Sequence, residues 1–389
     1  MRYCLKITVV KEAVDKLHST ISTSVLANDD LYDAVNSCVN SFGTETDGQY
    51  VLNLYDIDAI NFEDEWWNPS FAKSMTIDGD KLYVAVDHMN LNGYTWTDGM
   101  YFNKDLVVKL GLDMPYDLVR EGKWTLDRMA EYMKPAINLN GDSDFEIDPR
   151  GNSIYGLCVQ HTGSMMSIVQ GAGAFLVKRD NSRIPALMSN TEHAVNVLEK
   201  FAGMLSEEGS CLMYNTVEFN SLIAFLNGRG MFYQGALGNS LGEKMRSSDV
   251  EYGVLPLPKY DENQPQYYSN VSQYTLALSI PKTVTDPEVV GACLDYLEYA
   301  SYKEVIPVLQ ESLCYKGVRD DDSIDMYEII KQTQYADIGS LFGWTSGFMA
   351  TQCEKAYKKN LNFSSDFASN QKIIEDKIEQ TLTDMGVYD

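Results

Sequence analysis

Short apolar runs of strand length alternate along this chain with segments whose apolar residues recur at helical spacing. Several of the runs are continuously apolar, which is typical of strands in a sheet that is covered on both faces. The alternation predicts an α/β fold. The predicted strands are Leu5–Val10, Lys81–Val86, Met100–Phe102, Ile154–Val159, Gly230–Tyr233, Tyr252–Leu255 and Thr275–Ile280.

Two of the intervening helices have clear start signals in the sequence. In "KWTLDRMAEYMKP", Thr125 is placed to cap the helix and Pro135 to end it. In "TDPEVVGACLDYLEYA", Asp286 is the expected cap and Pro287 occupies the first helical position. These signals predict helices that begin at residues 126 and 287.

Length and charge limit the functions that the chain can have. Its 389 residues suffice for two domains with a substantial core. The formal net charge of −25, from 31 Lys and Arg against 56 Asp and Glu, repels phosphate backbones and anionic membranes. Nucleic acid is therefore not an expected partner, whereas a cationic ligand such as a polyamine remains open. No apolar run approaches the ~18 residues that span a bilayer.

The seven cysteines and four histidines form no recognisable metal or disulfide pattern. "GNSLG" at 238–242 matches the G-x-S-x-G nucleophile elbow, but a hydrolase of that fold has its histidine after the serine. All four histidines precede Ser240, so we do not expect it to be a nucleophile. Some acidic pair suited to glycoside hydrolysis is expected among 56 carboxylates in any fold, so a glycosidase stays open.

"NLNGDSD" at 138–144 resembles a calcium-binding loop. Its oxygen ligands at alternate positions would be Asn138, Asn140, Asp142 and Asp144. The loop lacks the glycine at its sixth position and the glutamate at its twelfth. The alternative is an Asx-rich turn after a helix, so calcium is a candidate ligand here and no cofactor is required.

A family likeness is carried by six segments, which are "STISTSVLANDDLYDAV" (19–35), "LNLYDIDAINFEDEWWNP" (52–69), "DGDKLYVAVDHMNLNGYTWTDGMYFNKDLVVKLGLDMPYDLVREGKWTLDRMAEYMKP" (78–135), "VEYGVLPLPKYDENQPQYYS" (250–269), "LALSIPKTVTDPEVVGACLDYLEYAS" (276–301) and "LFGWTSG" (341–347). With these segments the sequence resembles the family 1 extracellular solute-binding proteins. They are the carbohydrate-type substrate-binding proteins of bacterial ABC importers. The likeness spreads over nearly the whole chain.

The resemblance implies a two-lobed, periplasmic-binding-protein-like fold of type II, with hinge strands between the lobes and a helical C-terminal segment. The strand holding "MYFNKDL" is similar to the family's first crossing into lobe 2, and "SQYTLALSI" (272–280) to the second crossing. Lobe 1 would then comprise residues 1–103 and 272–312. Lobe 2 would comprise residues 104–271 and 313–389.

The resemblance also implies where the ligand binds, because open α/β sheets bind ligands beyond the carboxyl ends of their strands. Aromatic platforms and a few oriented polar groups are what a sugar requires. Trp66 and Trp67 are interpreted as packing within lobe 1. The predicted ligand-binding residues are Asn36, Asp87, His88, Trp96, His161, Tyr233, Gln234, Tyr274 and Trp344, and those ranked highest are Trp96, Asp87, Tyr233, Gln234 and Trp344.

The function that the resemblance implies is capture of an extracellular mono- or oligosaccharide by two closing lobes, followed by delivery to the membrane subunits of a permease. Such a protein is not an enzyme, is expected to be a monomer, and is a cell-surface lipoprotein or periplasmic. Two alternatives stay open: a receptor for another solute, such as a polyamine or peptide, and a glycosidase. "CLKITVV" (4–10) resembles the second strand of lobe 1, so we expect a signal, a first strand and a first helix upstream of it.

Overall fold

The computed structural model describes residues 6–39, 50–86, 88–89, 91–145, 147–148, 150–179, 183–317 and 320–388. Its strands are β1 (Val35–Cys38), β2 (Asp98–Asn103), β3 (Tyr155–Val159), β4 (Val177–Arg179), β5 (Pro185–Leu187), β6 (Cys211–Met213), β7 (Gly230–Ala236), β8 (Tyr252–Leu255), β9 (Ser269–Asn270), β10 (Leu276–Ser279) and β11 (Gln334–Tyr335). Its α-helices are α1 (Val14–Leu26), α2 (Pro69–Met75), α3 (Asn92–Thr95), α4 (Lys104–Lys109), α5 (Tyr116–Arg120), α6 (Leu126–Ala136), α7 (Thr162–Gly171), α8 (Glu192–Met204), α9 (Ser221–Leu226), α10 (Glu243–Arg246), α11 (Pro287–Ala300), α12 (Ile306–Glu311), α13 (Asp321–Gln332), α14 (Ile338–Leu341), α15 (Ser346–Tyr357) and α16 (Phe363–Asp384). Among the described residues, no helix has both the length and the apolar character to span a bilayer.

A five-stranded mixed sheet organises the larger of two clusters of buried apolar residues, the large core cluster. The strand order is β6-β3-β7-β2-β8, with β3 parallel to β6 and β7 and with β2 antiparallel to β7 and β8. Every residue of β2, β3 and β8 is buried, as the continuously apolar sequences predict. Helices cover both faces, so this part of the chain is the α/β lobe that the sequence predicts.

The second cluster, the small core cluster, surrounds a shorter sheet. Strands β1 and β10 pair antiparallel, from Val35 opposite Ser279 to Cys38 opposite Leu276. Beside them Ala85 forms a bridge with Leu278. The predicted strand 81–86 is thus reduced to isolated bridges, although its apolar side chains are buried in the cluster. Trp67 lies in this cluster and Trp66 packs against it, which confirms their interpretation as packing residues.

The predicted strand Leu5–Val10 is wrong for the residues that the structure describes. Residues 6–10 have no regular structure, and all five side chains are exposed. Apolar character alone predicts a strand here, but a strand requires a neighbour for its backbone hydrogen bonds. None of the described strands pairs with this segment.

Both predicted helix starts are confirmed. The Thr125 hydroxyl accepts a hydrogen bond from the Arg128 backbone N–H (3.3 Å), and the Asp286 carboxylate accepts one from Val289 (3.2 Å). Helix α6 ends at Ala136, so Pro135 lies in its last turn rather than beyond it. Because Pro135 has no backbone N–H, it cannot donate to the carbonyl of residue 131, so it weakens the last turn of the helix.

The two clusters are joined at short crossings. Thr97 forms an antiparallel bridge with Val271, and the Trp96 carbonyl accepts a hydrogen bond from the Ser272 backbone N–H (3.1 Å). The chain therefore passes between the clusters at residues 96–97. The strand of "MYFNKDL", predicted as the crossing itself, lies wholly within the five-stranded sheet, because both of its edges are paired.

The C-terminal helix α16 contributes to both clusters. Phe363 and Phe367, near its start, belong to the large cluster, and Ile374, Ile378 and Leu382 belong to the small one. The helix thus links the two parts of the protein beside the crossings. The exact lobe limits given above stay a prediction.

Candidate functional site

A cavity of about 530 Å³ lies where the second crossing meets α15 and α16. Its volume is within the range of small-molecule sites, roughly 300–1,000 Å³. Trp344 and Ile374, which line it, belong to the small core cluster, and Phe348 packs against both clusters. The lining residues are Gln273, Tyr274, Gly343, Trp344, Ser346, Gly347, Phe348, Thr351, Gln352, Lys355, Asp366, Asn370, Ile373, Ile374 and Lys377.

Two exposed aromatic side chains stand on the crossings beside this cavity. Tyr274 is 47% exposed and lines it, and Trp96 is 41% exposed on the neighbouring segment, whose carbonyl bonds to Ser272. All five tryptophans of the chain are described, and Trp96 is the only exposed one among them. An aromatic face left in water beside a cavity is the type of surface on which a sugar ring packs.

The N-terminus of α15 forms one wall of the cavity through Ser346, Gly347 and Phe348. The first N–H groups of a helix have no acceptor within the helix. The N-cap residue Thr345 makes no side-chain cap hydrogen bond, and the first turn contains no acidic residue. A Cβ added at Gly347 would meet no atom within 4 Å, so the space beside this residue is open.

A group of polar residues on α15 and α16 also lines the cavity. The Asp366 Oδ2 atom accepts hydrogen bonds from Lys355 Nζ (2.6 Å) and Gln352 Nε2 (3.2 Å). The Lys355 ammonium holds the pKa of the Asp366 carboxyl below its ordinary value. Gln352 is 1% exposed, and its Oε1 has no hydrogen-bond partner in the described part of the chain. These groups offer a ligand a fixed carboxylate and several amide and ammonium groups.

Trp344, which the sequence analysis predicts as a ligand-binding residue, is buried in the structure. It is 2% exposed, its ring stacks on Phe342 with centroids 5.1 Å apart, and its Nε1 donates a hydrogen bond to Thr381 Oγ1 (2.9 Å). The indole therefore supports the cavity wall and belongs to the small core cluster. It is not available as an open platform.

Tyr233 and Gln234 are buried in the middle of β7, and neither lines the cavity. Tyr233 packs against Tyr101 and accepts a hydrogen bond from Asn239 Nδ2 (3.2 Å). The Gln234 side chain makes a hydrogen bond with the buried carboxylate of Asp98. The structure thus assigns Tyr233 to the core and Gln234 to a polar group inside the crossing region.

That carboxylate is the residue that sequence reasoning missed. Asp98 Oδ2 accepts hydrogen bonds from Ser167 Oγ (2.6 Å) and Asn270 Nδ2 (3.4 Å), and Gln234 adds a third. Burial raises the pKa of Asp98 to about 6. The sequence feature that points to Asp98 is an acidic residue at the start of a continuously apolar strand, in "WTDGMYF".

Two of the predicted lobe 1 residues lie outside the cavity. Asn36 is exposed in the middle of β1, opposite Leu278. His88 is buried, with Nε2 2.9 Å from Tyr94 Oη, and its backbone N–H donates to Glu298 Oε2 (2.6 Å). These contacts make His88 a packing residue, because both its ring and its backbone are already engaged.

The two remaining predicted residues are His161 and Asp87. His161 is the N-cap of α7, and its Nδ1 accepts a hydrogen bond from the Ser164 backbone N–H (3.3 Å). It does not line the cavity. Asp87 lies outside the described residues.

The loop considered for calcium is closed by hydrogen bonds within the protein. Asp142 accepts from the backbone N–H groups of Asn152 and Ser153 (2.6 Å each) and from their side chains, and the Ser153 hydroxyl does most to lower its pKa, to about 2. The Asn138 side chain accepts from the Asn140 backbone N–H (2.6 Å). No group of three or more His, Cys, Asp or Glu side chains is arranged for a metal within the described ranges. The hydrogen bonds fit an Asx-rich turn, and calcium binding at this loop stays a prediction.

Comparison with known proteins rests on solved structures. Sequence models of protein families give no match, and curated proteins give none. A binding protein for cyclic α-maltosyl-1,6-maltose from Arthrobacter globiformis superimposes with a TM-score of 0.62 at 15% identity, covering 96% of this chain and 90% of that one. UgpB from Mycobacterium tuberculosis, in complex with glycerophosphocholine, gives 0.61 at 12% identity, covering 95% and 89%. The ABC substrate-binding protein Lmo0181 from Listeria monocytogenes, in complex with cycloalternan, gives 0.56 at 13% identity, covering 96% and 90%.

The chain has the fold of ABC substrate-binding proteins. The two-lobed, periplasmic-binding-protein-like architecture predicted from the sequence is thereby confirmed. The match covers nearly the full length of both chains, so it includes both core clusters and the crossings between them.

Proposed function

We propose that this protein is the substrate-binding component of a bacterial ABC importer and that it captures a carbohydrate between its lobes. The observation that carries the proposal is the pair of exposed aromatic residues, Trp96 and Tyr274, beside a cavity of about 530 Å³ at the crossings. Two of the structural neighbours are named for, or solved with, cyclic saccharides. The likeness in fold supports this choice over a glycosidase. Among the described residues that line the cavity, Asp366 is the only carboxylate, so they offer no acidic pair for hydrolysis.

In the proposed mechanism the sugar's apolar C–H face packs on the exposed aromatic rings. Its hydroxyl groups bind to Asp366, Gln352 and Asn370 on the helical wall. The ligand then bridges the crossings and the helical wall, and such a bridge would favour the conformation in which the lobes are closed. The closed form is the one that the membrane subunits would receive.

The proposal includes a location and a partner. A protein with this role works outside the cytoplasmic membrane, in the periplasm or held at the cell surface as a lipoprotein, and its partner is an ABC permease. It acts as a monomer, because one chain contains both lobes and the cavity. Catalysis is not part of the role.

Tryptophan fluorescence and calorimetry should detect the sugar directly. With a panel of mono- and oligosaccharides, we expect saturable binding of one class and a change in emission, because Trp96 is the exposed indole nearest the cavity. Trp96→Ala should weaken binding roughly 10- to 100-fold, the effect of losing an aromatic contact worth about 1.5–3 kcal/mol.

Tyr296→Ala is the matched control for this experiment. Tyr296 is an exposed aromatic residue on α11, outside the cavity lining, so its removal should leave affinity unchanged. Equal affinity in Trp96→Ala and the parent protein would exclude the crossing as the binding site. Release of reducing ends from an oligosaccharide would favour the glycosidase.

A further inference from the structure

Three segments of the chain cross between the two core clusters, and they lie side by side. Two are the crossings at residues 96–97 and 271–272. The third is β11, because α13 before it contributes to the large core cluster and α14 after it to the small one. Strand β11 pairs parallel with β9, and the Val271 backbone N–H donates a hydrogen bond to the Tyr335 carbonyl (3.0 Å). The three crossings thus form one hydrogen-bonded unit, the hinge ribbon, which must change when the lobes move.

Helix α7, which packs in the large core cluster, contacts the hinge ribbon through two buried polar side chains. Ser167 and Gln170 are three residues apart, so they project from one face of the helix. Ser167 Oγ donates a hydrogen bond to Asp98 Oδ2 (2.6 Å) beside the first crossing, and Asn270 Nδ2 on β9 lies 3.4 Å from both atoms. Gln170 Nε2 donates to Asp337 Oδ2 (3.0 Å), just after the third crossing. One helix face therefore holds all three crossings.

The two carboxylates in this network, those of Asp98 and Asp337, are buried without an opposite charge. Neither forms an ion pair with a described residue, and they are only 9% and 3% exposed. Asp337 Oδ1 has no hydrogen-bond partner in the described part of the chain, and neither has Oε1 of Gln170, the amide bonded to it. Burial is the largest cause that raises the pKa of both carboxyl groups. This packing therefore suits their protonated forms better than their ionised forms.

The groups packed around the two carboxylates supply no compensating charge. Helix α7, β9 and α14 contain no ionisable residue. Tyr233 on β7 is close enough to interact with the first carboxylate and Tyr335 on β11 with the second, and burial raises the pKa of both phenols, so both stay neutral. Arg179 lies near Tyr335, but its guanidinium donates hydrogen bonds to backbone carbonyls at the end of α2.

We propose that this network is a pH-dependent latch on the hinge. When Asp98 and Asp337 are protonated, α7 holds the three crossings in the arrangement seen here. When they ionise, the hinge ribbon opens more readily to admit water, and the lobes move more freely. The proposal goes beyond the carbohydrate-binding function, since neither carboxylate lines the cavity. A ligand responds to the latch only through the equilibrium between lobe arrangements.

The direction of the pH effect follows from the solvation of Asp98. In the arrangement seen here burial raises its pKa to about 6 from the ordinary 3.8, and entry of water into the hinge returns the pKa towards the ordinary value. Opening therefore releases a proton, so the latch is fully formed below about pH 4 and is lost as the pH rises through about 6. Between pH 5 and pH 7 the equilibrium constant for hinge opening should increase about tenfold.

Hydrogen exchange at pH 5 and pH 7 tests the latch without any ligand. The readouts are the backbone amides of Val271 and Ser272, which donate to the carbonyls of Tyr335 and Trp96. Their protection factors, which correct for the intrinsic exchange rate at each pH, should be about tenfold higher at pH 5. The Leu157 amide, bonded within the five-stranded sheet, should exchange more slowly at both pH values, because hinge opening does not unfold that sheet.

Three variants assign the pH effect to the network. Asp98→Asn should reduce the tenfold difference to about threefold or less, with Asp337 supplying the remainder. Ser167→Ala removes a hydrogen bond that favours the ionised form of Asp98, so the midpoint of the pH effect should move to higher pH. A purely structural role for Ser167 would lower protection equally at both pH values. Asp376→Asn is the control, because Asp376 is an exposed carboxylate outside the network.

Three results would overturn the latch. The first is equal protection of the Val271 and Ser272 amides at pH 5 and pH 7, and the second is an unchanged pH effect in Asp98→Asn. The third is exchange of these amides at the same rate as Leu157, since opening would then require unfolding of the whole protein. None of these results bears on carbohydrate binding, which the Trp96→Ala experiment tests separately.

Discussion

Replacing Asp98 with asparagine should raise the free energy of unfolding at pH 8 by about 2 kcal/mol and remove much of its pH dependence between about pH 4 and 6. Asp98 is buried at the start of β2, where Ser167, Asn270 and Gln234 surround its carboxyl group. Three neutral donors do not fully offset the loss of solvation, so burial raises its pKa to about 6.

The sign of the predicted stability change follows from the raised pKa of Asp98. An ordinary aspartate has a pKa of 3.8, so the folded protein holds the Asp98 proton more tightly than the unfolded chain does. The destabilisation from its charge is fully present above pH 6 and fades as the pH falls towards 4. The difference between the two pKa values corresponds to about 3 kcal/mol, and the asparagine recovers most but not all of it because its amide lacks an acceptor.

Urea unfolding of both proteins at a series of pH values measures this prediction. Asp376→Asn serves as the control, because Asp376 is an exposed carboxylate on α16, paired only with Lys372. Some pH dependence should remain in Asp98→Asn, since burial also raises the pKa of Asp337, which is held by Gln170 and Ser340. Parallel pH profiles for Asp98→Asn and the parent protein would show that Asp98 does not titrate in this range.

The second large effect is expected at Asp295 on α11. One of its oxygens, Oδ1, accepts hydrogen bonds from both Trp66 Nε1 and Trp67 Nε1, each at 2.8 Å. Asp295→Ala removes two charge-assisted hydrogen bonds, so we expect a loss of about 3 kcal/mol in the free energy of unfolding. The loss should be large because Trp67 is buried in the small core cluster and its N–H would find no other acceptor.

The variant Asp295→Asn separates the contribution of the acceptor oxygen from that of the negative charge. The asparagine keeps an acceptor oxygen but not its charge, so its stability should fall between those of the parent protein and Asp295→Ala. The neighbouring Tyr296→Ala changes an exposed residue of the same helix and should have little effect. A loss below about 1 kcal/mol in Asp295→Ala would mean that the indoles find water instead.

The apolar runs and helix caps in the sequence predicted the strands and helices correctly where those segments are buried in the structure. The continuously apolar strand around Tyr101 and the caps at Thr125 and Asp286 are all present in the structure. The segment 6–10 shows the limit of that reasoning, because an apolar run becomes a strand only where another strand pairs with it. Pairing partners lie far apart in the sequence, so no local pattern reveals them.

The candidate site was predicted only in part for a related reason. Trp96 and Tyr274 were identified because they lie next to the crossings, and both are exposed there. Trp344 and Tyr233 are also a tryptophan and a tyrosine, but both are buried. The residue type alone does not tell an exposed aromatic side chain from a buried one.

The division of helix α16 between the two core clusters has a consequence for how the protein unfolds. Melting of either cluster would strip apolar contacts from the same helix, and its remaining half would then be too short to persist without its packing. The two clusters are therefore expected to be thermodynamically coupled. We expect a single calorimetric transition with coincident changes in fluorescence and circular dichroism, and two resolved transitions would show that the helix follows only one lobe.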